Sequence, residues 1–372
     1  MKKTVRLVTI VGARPQFVKA AVVSRAIKNF NQQEYECRLN EVLIHTGQHY
    51  DFNMSQAFFN QLDIPAPKYH LSVRSGPHGK QTAKMLTRIE GVLAKERPEL
   101  VIVYGDTNST LAGALGAAKM KIPIAHVEAG LRSYNRHMPE EINRILTDRI
   151  SSLLFCPTET SILNLKTEGI IRGVHRVGDV MLDAFLAYRR VALKTSGVLR
   201  ALNLEHLSYC LATVHRQENA DDPVRLRSIF SSFSELASEH CPFIVPLHPR
   251  TRKSLRDRKL SIPINRHVRL IQPLSYLDVI ALESHAKTIL TDSGGVQREA
   301  YFARVPCITL RNETEWPETV ESGWNIIAGP KTEDIVRAFG KLNRTDLPEP
   351  PPYFGNGQAS ERIVEILAGL NR

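Results

Sequence analysis

The feature that most constrains this chain is an alternation running from one end to the other. Short apolar runs recur, and segments of helical period separate them. In the first half the runs are Val5–Val11, Glu41–His45, Leu100–Tyr104, Pro123–Val127 and Leu153–Cys156. In the second half they are Tyr209–Val214, Phe243–Leu247, Val268–Ile271, Thr288–Leu290 and Cys307–Leu310. Val101, Ile102 and Val103 are apolar without alternation, as a parallel strand covered on both faces requires. Between runs, Lys80–Glu96 carries Met85, Leu86, Ile89, Val92 and Leu93 at helical spacing, and Pro223–Ala237 carries Leu226, Ile229, Phe230, Phe233 and Leu236. Strands alternating with helices predict a parallel sheet in each half, hence an α/β chain of two doubly wound domains facing a cleft. Ligands of such sheets bind outside the carboxyl ends of the strands.

The length of 372 residues suits two domains. The first is expected to span 1–178, closing at Val177-Gly178, and the second 179–357. The run Leu347-Pro348-Glu349-Pro350-Pro351-Pro352 is a stiff connector. It is expected to carry the C-terminal helix, 358–372, back onto the first domain. No run of about 18 apolar residues exists, so no membrane-spanning helix is expected. The charged start leads straight into a strand and lacks the pattern of a secretory signal, so a cytoplasmic protein is expected.

The net charge of +11 suits an anionic partner, or simply a basic proteome. The cations are scattered and no nucleic-acid-binding signature is present, so nucleic acid is not an expected partner. The five cysteines, Cys37, Cys156, Cys210, Cys241 and Cys307, are odd in number and far apart, with no C-x-x-C pair. Neither a disulfide framework nor a zinc site is indicated. His45 and His49 are spaced for a helical metal pair, but Gly47 and the preceding strand argue against a helix there, and no metal is expected.

Polar residues at the strand ends locate the chemistry. The first strand runs into Gly12-Ala13-Arg14-Pro15-Gln16, with Lys19 a turn further on. Two cations beside a helix start suit a diphosphate, although the Walker A frame is absent here and at Gly79-Lys80-Gln81-Thr82. A solvated loop is the plainer reading. Gly105-Asp106 follows the strand Leu100–Tyr104, where Asp106 is either a functional carboxylate or the N-cap of the next helix. His126 and Glu128, two apart, are expected on one strand face. Glu128 then carries chemistry or pairs with Arg132. Pro139-Glu140-Glu141 reads as a helix start whose acidic residues favour the dipole. Histidines also fall at or just after strand ends at His45, His215 and His248. Asp292-Ser293-Gly294-Gly295 opens a helix in a way that lets backbone N–H groups approach a phosphate, and Glu299 stands where it could accept from a ribose. No G-x-G-x-x-G is present to support NAD.

Taken together, Gly12-Ala13-Arg14-Pro15, Gly105-Asp106, His126-Val127-Glu128-Ala129-Gly130-Leu131-Arg132, Pro139-Glu140-Glu141-Ile142-Asn143-Arg144 and Asp292-Ser293-Gly294-Gly295 occur in an order and spacing that resemble the non-hydrolysing UDP-N-acetylglucosamine 2-epimerase family over nearly the whole chain. The resemblance implies two Rossmann-like domains in the glycosyltransferase-B-like arrangement, a UDP-sugar as substrate, no cofactor and a homodimer. It implies inversion at C2 by elimination of UDP, a bound 2-acetamidoglucal intermediate, and re-addition. Asp106, Glu128 and Glu140 are then the acid–base carboxylates, assisted by His215. Arg14, Lys19, His248, Ser293, Gly294 and Gly295 hold the UDP moiety, and Glu299 holds the ribose.

Two departures bear on the substrate. Thr46-Gly47-Gln48-His49-Tyr50-Asp51 lacks the Arg that follows Gln-His in substrate-activated bacterial members, which puts allosteric activation by UDP-GlcNAc in question. Trp316 stands where the plain GlcNAc enzymes carry Arg. With Gly12–Ile27 and Gly76–Leu86, this segment looks more like the branch acting on UDP-2,3-diacetamido-2,3-dideoxy-glucuronate, which serves lipopolysaccharide O-antigen synthesis. Plain UDP-GlcNAc is the alternative substrate. A glycosyltransferase of the same fold is the more distant one, since it would not explain the three carboxylates.

Overall fold

A computed structural model describes residues 3–48, 65–206, 208–257, 262–342 and 346–369. The chain divides into two compact units, Met1–Leu186 with Pro352–Arg372, and Ala187–Pro351.

The first unit is built on seven parallel strands. They are β1 (Lys3–Val11), β2 (Cys37–His45), β3 (Tyr69–His70), β4 (Leu100–Tyr104), β5 (Ile124–Val127), β6 (Leu153–Cys156) and β7 (Val174–Arg176). Their spatial order is β3-β2-β1-β4-β5-β6-β7, with every pair parallel. The chain winds outward from β1 to β3, then returns to β4 and winds the other way. β1 and β4 therefore flank the point where the winding reverses, the place where doubly wound sheets bind ligands. Val8 and Ile10 of β1 and Val101 and Val103 of β4 pack against Met85, Ile89 and Leu93 of helix His78–Glu96. The helical spacing read from that segment buries this stripe.

The second unit repeats the plan with six parallel strands: β8 (Cys210–Thr213), β9 (Phe243–Pro246), β10 (Val268–Ile271), β11 (Thr288–Thr291), β12 (Cys307–Thr309) and β13 (Asn325–Ile327). Their order is β10-β9-β8-β11-β12-β13, so β8 and β11 flank its reversal point. Leu226, Ile229, Phe230 and Phe233 of helix Pro223–Leu236 meet Phe243 and Phe339 in its core. Pro223 sits at the first helical position, and Asp222 accepts from the N–H groups of Val224 and Arg225, so this helix start is specified locally.

Helix Ala359–Leu367 packs on helix Arg14–Asn31 in the first unit. Its own cap position, Gln358, makes no side-chain capping bond. Asp183 supplies it instead. The Asp183 carboxylate accepts from the N–H of Ala359 (3.2 Å), the N–H of Ser360 (2.7 Å) and the Ser360 hydroxyl (2.7 Å). Nearby, Gly178 has φ +95°, and a Cβ there would meet the Phe354 carbonyl at 3.0 Å, so only glycine lets the returning chain approach. No helix among the described residues is long and apolar enough to cross a membrane.

Candidate active site

In the first unit the candidate residues gather at the carboxyl ends of β1, β4 and β5. Gly12 is obligatory, because a Cβ would lie 2.1 Å from both the Thr46 and Ser109 hydroxyl oxygens. Gln16 organises the turn. Its Oε1 accepts from the N–H groups of Gly12 and Ala13, and its Nε2 donates to the Tyr104 carbonyl and the Thr110 hydroxyl. Arg14 is the first residue of helix Arg14–Asn31 and is half-buried. Lys19, five residues on, is buried and lies 2.6 Å from Glu128 Oε1.

Glu128 departs from the expectation drawn for it. β5 ends at Val127, and Glu128 has φ +72°, so alternation along the strand no longer governs where it points. Alternation therefore does not put His126 and Glu128 on one face, yet both side chains reach Gly105. His126 is fully buried, with Nδ1 2.7 Å from Asp148 Oδ1 and Nε2 2.8 Å from the Gly105 carbonyl. Glu128 pairs with Lys19, whereas Arg132 pairs with Asp148 (2.7 Å) and Glu168 (2.6 Å). Burial alone would raise the Asp148 pKa, but His126 and Arg132 outweigh it and hold the carboxyl below its ordinary value. The Lys19–Glu128 pair lies over Gly105. A Cβ there would sit 3.1 Å from Lys19 Nζ and 3.4 Å from Glu128 Oε1, and φ is +61°.

Asp106, the next residue, is not the helix cap. Thr107 takes that place, its hydroxyl accepting from Thr110 N–H. The Asp106 carboxylate instead accepts from Arg144 Nη2 (2.6 Å) and Nε (3.1 Å), and its carbonyl accepts from Asn143. Arg144 also donates to Glu141 Oε2 at 2.6 Å. Glu141 further accepts from Ser133 N–H and hydroxyl and from Tyr134 N–H, so it anchors the loop before its helix. Glu140 stands half-buried beside it. Arg144 was legible within its motif but without a role. Its spacing of three from Glu141 and four from Glu140 on helix Pro139–Ile150 is the signal that marks it as a partner for carboxylates.

In the second unit the organising residue is Asp292, which the sequence reading gave no role of its own. It is fully buried at the end of β11 and accepts from the N–H groups of His215 and Arg216 (3.0 Å each) and from Asn219 Nδ2 (3.2 Å). The loop after β8 that carries His215 is thereby tied to β11. The His215 ring nitrogen lies 3.5 Å from Asp292, and its ring centroid lies 5.2 Å from that of His248. Burial lowers the His215 pKa, Asp292 opposes this, and Arg216, Arg250 and Arg311 push it lower still. His248 is exposed, its Nδ1 accepting from Arg250 N–H.

Ser293 caps helix Gly294–Ala303 through its hydroxyl. A Cβ at Gly294 would approach Glu315 Oε2 to 3.1 Å and Trp316 Nε1 to 3.5 Å, whereas one at Gly295 would meet only the Ser293 hydroxyl at 3.7 Å. The first glycine fits the neighbouring loop; the second leaves the helix start open. Glu315 is held by Arg311, and the Arg298 guanidinium lies 4.0 Å over the Trp316 ring. Glu299 accepts from the buried Tyr276 hydroxyl at 2.9 Å. The residues His49, Tyr50 and Asp51 lie outside the described residues. His45 Nδ1 accepts from Gly47 N–H at 2.8 Å.

The sequence profile of the family described as UDP-N-acetylglucosamine 2-epimerase matches residues 31–368. A Methanococcus maripaludis protein named as a UDP-N-acetylglucosamine 2-epimerase homolog is 52% identical over 371 residues, covering 98% of this chain and 100% of that one. The UDP-2,3-diacetamido-2,3-dideoxy-D-glucuronate 2-epimerase of Pseudomonas aeruginosa is 48% identical over 368 residues, with 98% and 100% covered. Among solved structures, Methanocaldococcus jannaschii UDP-GlcNAc 2-epimerase in complex with UDP-GlcNAc and UDP superposes with a TM-score of 0.87 at 44% identity, covering 98% of this chain and 99% of that one.

Proposed function

The chain belongs to the UDP-N-acetylglucosamine 2-epimerase family of isomerases, and from that premise we propose that it inverts C2 of UDP-2,3-diacetamido-2,3-dideoxy-glucuronate by elimination of UDP and re-addition. The observation that carries the reading is the carboxylate set at the winding reversal of the first unit. Glu128 is fixed over Gly105 by Lys19, and Asp106 is fixed by Arg144. Removing a proton from one face of C2 and returning it to the other needs more than one positioned acid–base group.

In the elimination a carboxylate takes the C2 proton as the C1–O bond breaks. UDP leaves with that bonding pair and the glucal remains. In the addition UDP re-forms the C1–O bond while a second group protonates C2 from the opposite face. Asp106, Glu128 and Glu140 are assigned the proton transfers. His215, kept below its ordinary pKa by burial, is assigned as the group of the second unit that assists them. UDP is charged before and after departure, so Arg14, Lys19, His248 and the helix start at Ser293-Gly294-Gly295 hold it throughout. Glu299 takes a ribose hydroxyl. Trp316 and the 48% identity to the P. aeruginosa enzyme support the uronate substrate. The M. jannaschii likeness supports the second reading, UDP-GlcNAc. A homodimer acting in surface-polysaccharide precursor synthesis belongs to the same proposal.

Proton NMR in D2O with each nucleotide sugar in a separate tube tests it. The expected result is deuterium at C2 and appearance of the manno epimer, faster with the uronate, and loss of both in Glu128→Gln. Exchange faster with UDP-GlcNAc would transfer the assignment to that substrate. Binding of both sugars with no exchange would overturn the elimination.

A further inference from the structure

The five cysteines are not equivalent. Cys210 opens β8, and Cys241 lies two residues before β9, in a turn closed by reciprocal 3.2 Å hydrogen bonds between Ser238 and Cys241. Cys210 is in register with Phe243 and donates its N–H to the Pro242 carbonyl at 3.0 Å. This adjacency brings the two sulfurs to 3.5 Å. They sit at the amino ends of the strands, whereas His215 and Ser293 follow the carboxyl ends. The pair is therefore no part of the candidate active site.

We propose that Cys210 and Cys241 form a peroxide-responsive thiol pair, with Cys241 as the attacking sulfur and Cys210 as the resolving one. Burial divides the roles. Cys210 is fully enclosed and Cys241 is half-buried, so an oxidant reaches Cys241 first. The electrostatics agree. The Cys210 thiol donates to Cys241 and the Lys287 ammonium lies nearby. Together they outweigh burial and bring the Cys241 thiol down to about 7, while burial pushes Cys210 up. Cys156 and Cys307 are buried thiols also pushed up by burial.

The chemistry balances with hydrogen peroxide as oxidant. The Cys241 thiolate forms an S–O bond as the O–O bond breaks, and the departing hydroxide takes a proton to become water. The Cys210 sulfur then attacks the Cys241 sulfenic acid. An S–S bond forms, the S–O bond breaks, and the second hydroxide leaves as water with the Cys210 proton. Two thiols lose two electrons in all, and one peroxide becomes two waters. A disulfide needs the sulfurs at about 2 Å, so they must close by about 1.5 Å. Cys241 lies in a turn and not in a strand, and there the backbone can give.

The test uses the full chain, reduced, desalted and treated with one equivalent of hydrogen peroxide. Free thiols counted after denaturation are expected to fall from five to three. Peptide mass analysis is expected to find a 210–241 cross-link lighter by two hydrogens. Cys210→Ser, whose hydroxyl can still donate to Cys241 but cannot close a disulfide, is expected to accumulate a Cys241 sulfenic acid that dimedone traps. Cys241→Ser is expected to slow oxidation of Cys210 by about tenfold or more. Oxidation that falls first on Cys37, or that leaves Cys210 and Cys241 as thiols, overturns the proposal. So does a Cys210→Ser chain that traps no sulfenic acid at position 241.

Discussion

Glu140 and Glu141 are neighbours on one helix turn, yet their surroundings part them. Glu141 takes three donors from the loop before it and one from Arg144, which uses up its acceptors. Sequence alone presents the two as equal candidates, because which one faces the loop depends on the chain folding back at Ser133 and Tyr134. Glu128 was singled out correctly as a buried carboxylate at a strand end, but its partner was not legible. A left-handed glutamate is uncommon, and nothing local announces φ +72°. His45 shows how burial, aided by a neighbouring histidine, sets a property that can be measured. Its Nδ1 must stay unprotonated to accept from Gly47 N–H, and burial first, then His70, lower its pKa from 6.5 to about 4. The unfolded chain thus binds a proton below pH 6.5 that the folded chain refuses until about pH 4. Stability is present above 6.5 and is lost as pH falls through this window, by about 3 kcal/mol. Urea unfolding at pH 7 and pH 4.5 checks the sign. His45→Asn, whose side-chain oxygen can replace Nδ1 as acceptor, is expected to flatten the loss.

At the scale of elements, the interior strands were legible and three edge or near-edge strands were not. β4 and β6, both interior, match their apolar runs residue for residue, and so does β10, which is itself an edge strand. β3, β7 and β13 have two or three residues each, lie at sheet edges, and include exposed or half-exposed positions. An edge strand has one neighbour and one poorly covered flank, so it needs no apolar run to persist. Caps divide the same way. Asp222 and Ser293 precede the helices they cap, and so does Thr107, although the sequence offered the adjacent Asp106 for that place. The cap of helix Ala359–Leu367 comes from Asp183, 176 residues earlier by its bond to Ala359, and cannot be read from sequence. Asp183→Ala is expected to cost about 1–2 kcal/mol of unfolding free energy. Proteolysis of the folded protein should release the last helix before the rest, and intact protein through such digestion would count against the assignment.

For the whole molecule, two cores with separate sheets make a single cooperative transition an assumption to be tested. A ligand stabilises the structure it binds in proportion to the logarithm of one plus the ratio of its concentration to its dissociation constant. UDP at about one hundred times its dissociation constant is worth about 2.7 kcal/mol. Under the proposed assignment of Ser293-Gly294-Gly295, calorimetry with UDP is expected to raise the unfolding temperature of the second unit, and Gly295→Asp is expected to abolish that rise. A rise unchanged by the substitution would remove the phosphate from that helix start. The division of the chain also has a consequence for how it is made. The first unit holds residues up to Leu186 and then again from Pro352. A ribosome finishing Leu186 must synthesise the whole second unit before the last helix emerges to cover helix Arg14–Asn31. At cellular rates of elongation that delay is on the order of ten to thirty seconds. Throughout it the nascent first unit presents an uncovered helix face to the cell, and a chaperone would have that long to find it.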